Sequence, residues 1–307
     1  MFSGAALELR VWTAAAWNDG KCVVAGMIVC SSQSGAQREE AGLSRRVEPR
    51  RKDCMEFDSA SAADGFNLRG AAKLGFVSAM FDQIAASYDL VNLFISLGQT
   101  TLWRWLAFAW RRNIFTPGAR VLDVGCGTGA VVGLLERVYG HARLHITGLD
   151  CSTAMLDIAR SVHPRHRFCH GDVCALPFKQ GEFDVVTSCY VLRSFPDMAT
   201  GLAEMLRVLR PGGTLVLLDA FPPPSSFMRK VLALWLDMVM PLLARAFGNG
   251  SAASDKAYAY LAASIQGTLA PDAVAAMLKQ AGAQEVSITR YTFGACCRLI
   301  AHRRRNE

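Results

Sequence analysis

The chain has 307 residues, enough for one sizeable α/β domain with an appendage, and 51% hydrophobic against 19% charged residues excludes an intrinsically disordered protein. The net charge of +7 is compatible with anionic partners. However, the clearest basic clusters, Arg45–Lys52 and Arg303–Arg305, have no interleaved aromatics, which argues against nucleic-acid recognition.

In chain order, the first stretch, to about residue 70, is rich in small residues and poor in acids, with a proline-broken basic run from Ser44 to Lys52. This composition predicts a leader, either an organelle transit peptide or a disordered tail. The domain proper is expected over 71–307. Helical apolar spacing predicts helices over Phe76–Tyr88 and Thr101–Trp110. Strand-like and helical runs then alternate. Arg120–Val124 leads to a helix over Ala130–Tyr139, Leu144–Leu149 to Ser152–Arg160, Arg167–His170 is a short strand, Phe183–Cys189 leads to Met198–Leu209, and Thr214–Leu218 follows. Such alternation implies a parallel sheet covered on both faces. A long helical region follows three prolines. Its segment Val231–Phe247, interrupted by Asp237, Pro241 and Arg245, reads as a bent amphipathic helix facing core or lipid, and no run reaches the roughly 18 apolar residues of a membrane span. The chain closes with a helix over Pro271–Ala281 and strands over Glu285–Thr289 and Cys296–Ala301.

The ten cysteines show no C-x-x-C pairing and read as buried thiols in a reducing compartment. His163, His166 and His170 are spaced like ligands, but Pro164 breaks any helix that would align them, so no metal is expected.

The chemistry concentrates at four places. Asp123-Val124-Gly125-Cys126-Gly127-Thr128-Gly129 ends a strand in alternating glycines, where backbone can approach a ligand closely; with Ala130 it also satisfies the relaxed dinucleotide fingerprint. Asp150, ending the second strand, suits two ribose hydroxyls or a helix N-cap. Asp172, with the backbone N–H of Val173, can bond the amino group and ring nitrogen of an adenine. Arg210-Pro211-Gly212-Gly213 stops a helix and turns into the fifth strand. Asp172 and this late turn argue against a nicotinamide-dependent oxidoreductase.

Together these motifs make the chain resemble the class I methyltransferases, and within them the ubiquinone/menaquinone C-methyltransferase family, over about Phe76–His302. The narrower likeness rests on Tyr88, Asp89, Asn92, Ile95, Ser96 and Trp103, on Arg207–Gly213, on Arg193, and on Tyr258–Ile265. Val91, Thr100, Ser194, Asp219 and Phe221 depart from the family pattern, which leaves a non-catalytic relative as an alternative. The resemblance implies a Rossmann-like seven-stranded α/β sheet with helices on both faces plus helical N-terminal and insertion segments. It implies S-adenosylmethionine as cofactor, contacted by Gly125, Gly127, Thr128, Asp150, Asp172 and Val173, with Asp123 below the glycine loop and Cys189 where many members have Ser. The acceptor would be a prenylated quinol, demethylphylloquinol or demethylmenaquinol ahead of the ubiquinone precursor, in an organelle, plastid ahead of mitochondrion.

Ring methylation needs an adjacent hydroxyl to lose its proton, and a phenol titrates near pH ~10. Arg193, after the fourth strand, is placed to stabilise a phenolate; its competing role is a surface cation paired with Asp197. Tyr88 and Asn92 are one helical turn apart and would share a face. Phe94, Trp103, Trp105, Phe108, Trp110, Trp235 and Met238 are candidates for an apolar tunnel for the prenyl tail. The basic surface and the 231–247 helix suit peripheral membrane contact. The sequence does not fix the oligomeric state.

Overall fold

The computed structural model describes residues 62–109, 111–247 and 252–305, all in one compact unit. Most of the expected leader, with its basic run, and Trp110 lie outside the described residues. Its last part is folded: α1 (Ala62–Asn67) carries Phe66, whose ring packs on Gly267 and lies 5.4 Å below the Lys73 ammonium. The folded domain therefore includes residues N-terminal to 71, because Phe66 gives this polar stretch an apolar anchor.

The helix expected over Phe76–Tyr88 is α2 (Gly70–Ile84), which starts and ends earlier in the chain; after Ala85–Ser87, α3 (Tyr88–Ile95) begins at the residue expected to close it. After α3, Leu97 and Gly98 both adopt positive φ, 48° and 75°, which reverses the chain into α4 (Gln99–Phe108).

The alternating region folds as β1 (Arg120–Val124), α5 (Ala130–Tyr139), β2 (His145–Asp150), α6 (Thr153–Val162), β3 (Arg167–His170), β4 (Phe183–Cys189), α7 (Met198–Val208) and β5 (Leu209–Ala220). β5 is longer than expected. Pro211-Gly212-Gly213 is a bulge inside it: Leu209 pairs with Phe183, the register shifts, and Thr214 pairs with Val185. α8 (Ser226–Leu234), a π-helical turn at Trp235–Val239 and α9 (Met240–Phe247) make the bent segment. The bend lies just before Pro241, which cannot donate the N–H that a regular α-helix needs there. α10 (Ala252–Gln266), α11 (Pro271–Gln280), β6 (Ala283–Tyr291) and β7 (Cys296–Arg303) complete the chain.

The seven strands lie in the order β3-β2-β1-β4-β5-β7-β6, with β7 antiparallel to both neighbours and the rest of the ladder from β3 to β5 parallel. The sheet is buried on both faces. Leu122, Val124, Val186, Leu215 and Leu217 pack with α7 and α11 on one side, while Val121, Val185, Val216 and Leu218 pack with α4 and α5 on the other. A third cluster of α2, α3, the π turn and α10, with Phe76, Met80, Leu236 and Tyr260 at its centre, caps the carboxyl edge of the sheet. The order of the strands reverses between β1 and β4, and the crevice at such a switch point is where open α/β sheets bind ligands.

Arg193 is tied into the frame. Its guanidinium lies 2.5 Å from Asp219, with side chains 7% and 0% exposed, and the same carboxylate accepts the backbone N–H of Leu192 at 2.9 Å. The alternative partner, Asp197, instead caps α7 through Thr200 N–H at 2.7 Å. Replacing Asp219 by Ala strands a buried cation, and urea unfolding is expected to show a loss of about 3–5 kcal/mol; a loss below about 1 kcal/mol would contradict this role of the pair.

Candidate active site

Between the ends of β1, β2 and β4 and the underside of α2–α4 is a well-formed cavity, lined by the glycine loop, Asp150, Val173, Cys189 and Tyr190 below and by Leu74, Val77, Phe81, Tyr88, Asp89 and Arg104 above. α2 contributes an apolar stripe to the roof, while α3 and α4 add the polar and charged side chains.

The glycine loop is shaped by positive φ at Gly125 (69°), Gly127 (54°) and Gly129 (89°). A Cβ on Gly125 would stand 2.5 Å from Val191. One on Gly127 would project into open space, the space a ligand needs. Asp150 holds this loop: Oδ2 accepts the N–H of Gly127 at 2.8 Å and Oδ1 that of Ser152 at 2.9 Å. Ser152, not Asp150, caps α6 through Met155 N–H at 3.2 Å. Asp82 of α2 accepts from the Ser152 hydroxyl at 2.6 Å and from Ala154 N–H at 3.0 Å, so the covering helix is fastened to the β2 side of the cavity. Burial raises the Asp150 carboxyl above the usual range, opposed by those backbone donors.

Asp123, at the end of β1, is 1% exposed. Its Oδ1 accepts the Thr187 hydroxyl at 2.7 Å, while Oδ2 has no partner. Burial drives this carboxyl up to about 7, against the Thr187 bond and the charge of Arg104. An orphaned buried acceptor beneath a glycine loop fits a ligand that brings its own cation.

Of the residues singled out from sequence, Gly125, Gly127, Thr128, Asp150, Val173, Cys189 and Tyr88 line the cavity. Asp123 and Asp172 are not part of its wall: Asp123 lies buried beneath the glycine loop, and Asp172 caps a 3₁₀ turn by accepting Cys174 N–H at 2.9 Å. Burial pushes the Cys189 thiol up to about 12, so it is neutral. Burial also raises the Tyr88 phenol, with the Arg193 charge and a bond from Asn92 opposing, so the phenol keeps its proton. Arg193 and Asn92 sit behind Tyr88, outside the cavity wall. Arg104, Asp89, Tyr190 and the lid residues Leu74, Val77 and Phe81 carried no assigned role in the sequence. The last three fall at i, i+3 and i+7, a one-face helical period that marked a buried stripe without saying what it covers.

The aromatic tunnel does not assemble. Phe108 is buried in the core with Phe115, Trp103 bonds Thr292 at 2.8 Å, Trp235 bonds the carbonyl of Ile95 at 3.0 Å, and Met238 is exposed; none lines the cavity. The three histidines also diverge: His163 and His166 share Glu136, and His170 bonds the carbonyl of Cys151.

A parallel sheet extended by an antiparallel β7, with a glycine loop, a buried carboxylate at the end of β2 and a roofed cavity, defines a class I S-adenosylmethionine-dependent methyltransferase. Solved structures share this architecture. A SAM-dependent methyltransferase from Thermotoga maritima superposes with a TM-score of 0.52 at 17% identity, covering 73% of this chain and 99% of its own. The [4+2]-cyclase SpnF gives 0.52 at 18% identity, covering 78% and 98%. At these identities the likeness shows the fold alone. Residues 69–303 match the model of the ubiE/COQ5 methyltransferase family, and the chain belongs to that family. It is 38% identical over 211 residues to a demethylmenaquinone methyltransferase of Renibacterium salmoninarum, covering 69% of this chain and 85% of the relative. It is also 38% identical to one from Deinococcus radiodurans, covering 74% and 92%.

Gly125→Ala is expected to weaken S-adenosylmethionine binding roughly tenfold or more, since the methyl meets Val191 and the left-handed backbone is strained; unchanged affinity in calorimetry would contradict the reading of this loop. Asp123 gives a pH dependence. A carboxyl raised from 3.8 to about 7 binds a proton in the folded apoprotein across that window, so its contribution to stability declines as pH rises through it. A cationic ligand group favours the ionised form, so affinity should increase severalfold from pH ~5.5 to ~7. Asp123→Asn should bind weakly with no such rise, and a flat wild-type profile would exclude contact between Asp123 and a cation.

Proposed function

We propose that this enzyme C-methylates the ring of a prenylated quinol, a demethylmenaquinol- or demethylphylloquinol-type naphthoquinol ahead of a ubiquinone-type benzoquinol. The observation that carries the reading is the acceptor side of the cavity. Leu74, Val77, Phe81, Val191 and Phe195 make an apolar slot suited to a flat ring, and the Tyr88 hydroxyl is its polar handle. The relatives named demethylmenaquinone methyltransferases support it.

When bound, the cofactor supplies a methyl group activated by a sulfonium centre. The protein supplies alignment and a dry site. The glycine loop and Asp150 fix the donor, and the α2 roof excludes water. The acceptor loses a hydroxyl proton, its ring carbon takes the methyl as the methyl–sulfur bond breaks, and the ring C–H proton then leaves while the oxygen regains a proton, so the aromatic quinol is restored and one proton is released to solvent in net. Tyr88, kept protonated by burial, donates a hydrogen bond to the ring oxygen as it becomes a phenolate. Asn92 orients that phenol, and the neighbouring Arg193 charge favours negative charge there.

The exposed face of α8–α9 supports contact with the membrane in which such a substrate dissolves. Phe227, Val231, Leu234, Met238 and Leu242 recur at helical spacing and are all exposed, while Arg229 and Lys230 lie on the same helix. No single helix among the described residues is long and apolar enough to span a membrane. An organelle, plastid ahead of mitochondrion, remains the location proposed from the composition of the leader.

Expression of the full chain in bacteria lacking their own quinone methyltransferase, followed by mass analysis of quinones, tests the substrate. Conversion of demethylmenaquinone is expected, and restoration of no quinone would overturn the reading. Arg193→Ala is expected to lower turnover by about 10²–10³-fold with cofactor affinity retained; loss of cofactor binding in a folded variant would contradict the role of Arg193.

A further inference from the structure

The turn between β6 and β7 strains its backbone to point a bulky side chain outward. Thr292, Phe293 and Gly294 take φ of 44°, 56° and 90°, and Phe293, in the left-handed region that a bulky residue rarely adopts, is 78% exposed. The turn is held from two sides. The Thr292 hydroxyl accepts from the Trp103 indole at 2.8 Å and donates to Gln99 at 3.3 Å, both on α4. On the other side, a Cβ on Gly294 would stand 2.8 Å from the Pro224 ring. Phe293 is therefore presented by a fixed support and not left on a loose loop.

β7 starts at Cys296 beside Ala220, the last residue of β5, so the turn stands at the carboxyl edge of the sheet, the edge that holds the cavity. Exposed leucines share its support: Leu97 just before α4, and Leu102 and Leu106 one turn apart on it. The carbonyl of Leu106 accepts the Tyr291 hydroxyl at 3.5 Å, which keeps this helix beside the turn. On the Pro224 side the chain enters α8, whose exposed apolar stripe starts at Phe227. The charges point one way. α4, the turn and α8 contain no acidic residue, while Arg229 and Lys230 on α8 are exposed. Asp237, the next acid along the chain, is bonded to Gln266 of α10 at 3.0 Å. An apolar surface flanked only by cations fits anionic lipid, whereas a second copy of a chain with net charge +7 would bring like charge to it.

We propose that Phe293 is a lipid-inserting anchor, and that the β6–β7 turn with the leucines of α4 sets the carboxyl edge of the sheet on an anionic bilayer. The proposal deepens the reading of a membrane-dissolved acceptor and rests on it for its purpose, since the acceptor then passes from lipid to cavity at one edge of the protein. The turn adds a second foothold to the α8–α9 face, on the far side of Pro224. Two footholds fix an orientation that one amphipathic segment leaves free to roll. A rigidly held aromatic also loses little conformational freedom on insertion.

Sedimentation of the full chain with vesicles of phosphatidylcholine, alone or mixed with phosphatidylglycerol, tests this. Asparagine accepts left-handed backbone readily, so Phe293→Asn is expected to melt at or above the wild-type temperature while its partitioning onto mixed vesicles falls about tenfold. Phe293→Trp should keep the binding. Lys230→Glu should weaken binding to the mixed vesicles and leave that to phosphatidylcholine unchanged. Partitioning of Phe293→Asn equal to that of wild type, or no wild-type binding to either vesicle, would overturn the inference. So would loss of a dimer in equilibrium sedimentation with vesicle binding unchanged, which would put a second copy of the chain on this surface. A water-soluble quinol without a tail separates this inference from the proposed function. Phe293→Asn should methylate it at the wild-type rate, and a lower rate would assign the turn to the cavity instead. A wild type that methylates no quinol would end the functional reading and leave the vesicle result in force.

Discussion

The site depends on keeping carboxylates buried at the carboxyl edge of the sheet. Asp123 and Asp150 end adjacent strands and are at most 9% exposed. Burial of this kind is unfavourable for an anion unless donors are already in place. Asp150 meets that condition with two backbone N–H groups, one of which is part of the glycine loop, so the carboxylate that ends β2 also sets the loop's shape. Asp123 meets it only by half, through Thr187. Burial raises both carboxyls, and the donors around Asp150 oppose that rise more fully than the single hydroxyl on Asp123.

The helical roof translates that arrangement into a closed chamber. α2 reaches down with Asp82 to the start of α6, and the same helix offers Leu74, Val77 and Phe81 to the cavity. Alignment of donor and acceptor therefore rests on one rigid element that touches both halves. α3 and α4 are fixed differently, through the Thr100–Tyr190 link and through Trp235 on Ile95. The roof is where this chain departs from a bare class I sheet. A [4+2]-cyclase with the same core shows that the sheet alone does not determine the reaction.

Much of the fold was legible in the residues, for a physical reason. Parallel strands buried on both faces read as short apolar runs, and β1, β4 and α5 fall where the pattern puts them. Errors came where local pattern and tertiary context diverge. The break at Ala85–Ser87 has no proline or glycine to announce it, so the helix expected over Phe76–Tyr88 runs past the true end of α2 at Ile84. Asp123 stood out in the sequence because glycines follow its strand, and Asp150 because it ends the next strand just before a helix; the structure places both carboxylates buried at the carboxyl edge of the sheet. Arg104 did not stand out: a single arginine in an amphipathic helix looks like surface until Tyr190 and Cys189, more than eighty residues away in sequence, are seen beneath it.

The two arginines show why identity of charge is a poor guide to role. Arg193, just after β4, was the sequence candidate for a cation facing the acceptor, but Asp219 on the next strand takes up its charge, and the pair is buried outside the cavity wall. Arg104 enters from α4 and lines the cavity itself, against the Tyr190 ring and with the charges of Asp89 and Asp123 acting on it. Two cations of one kind thus differ by their surroundings: one belongs to the frame that holds the β4 exit, and the other sets the electrostatic field inside the chamber.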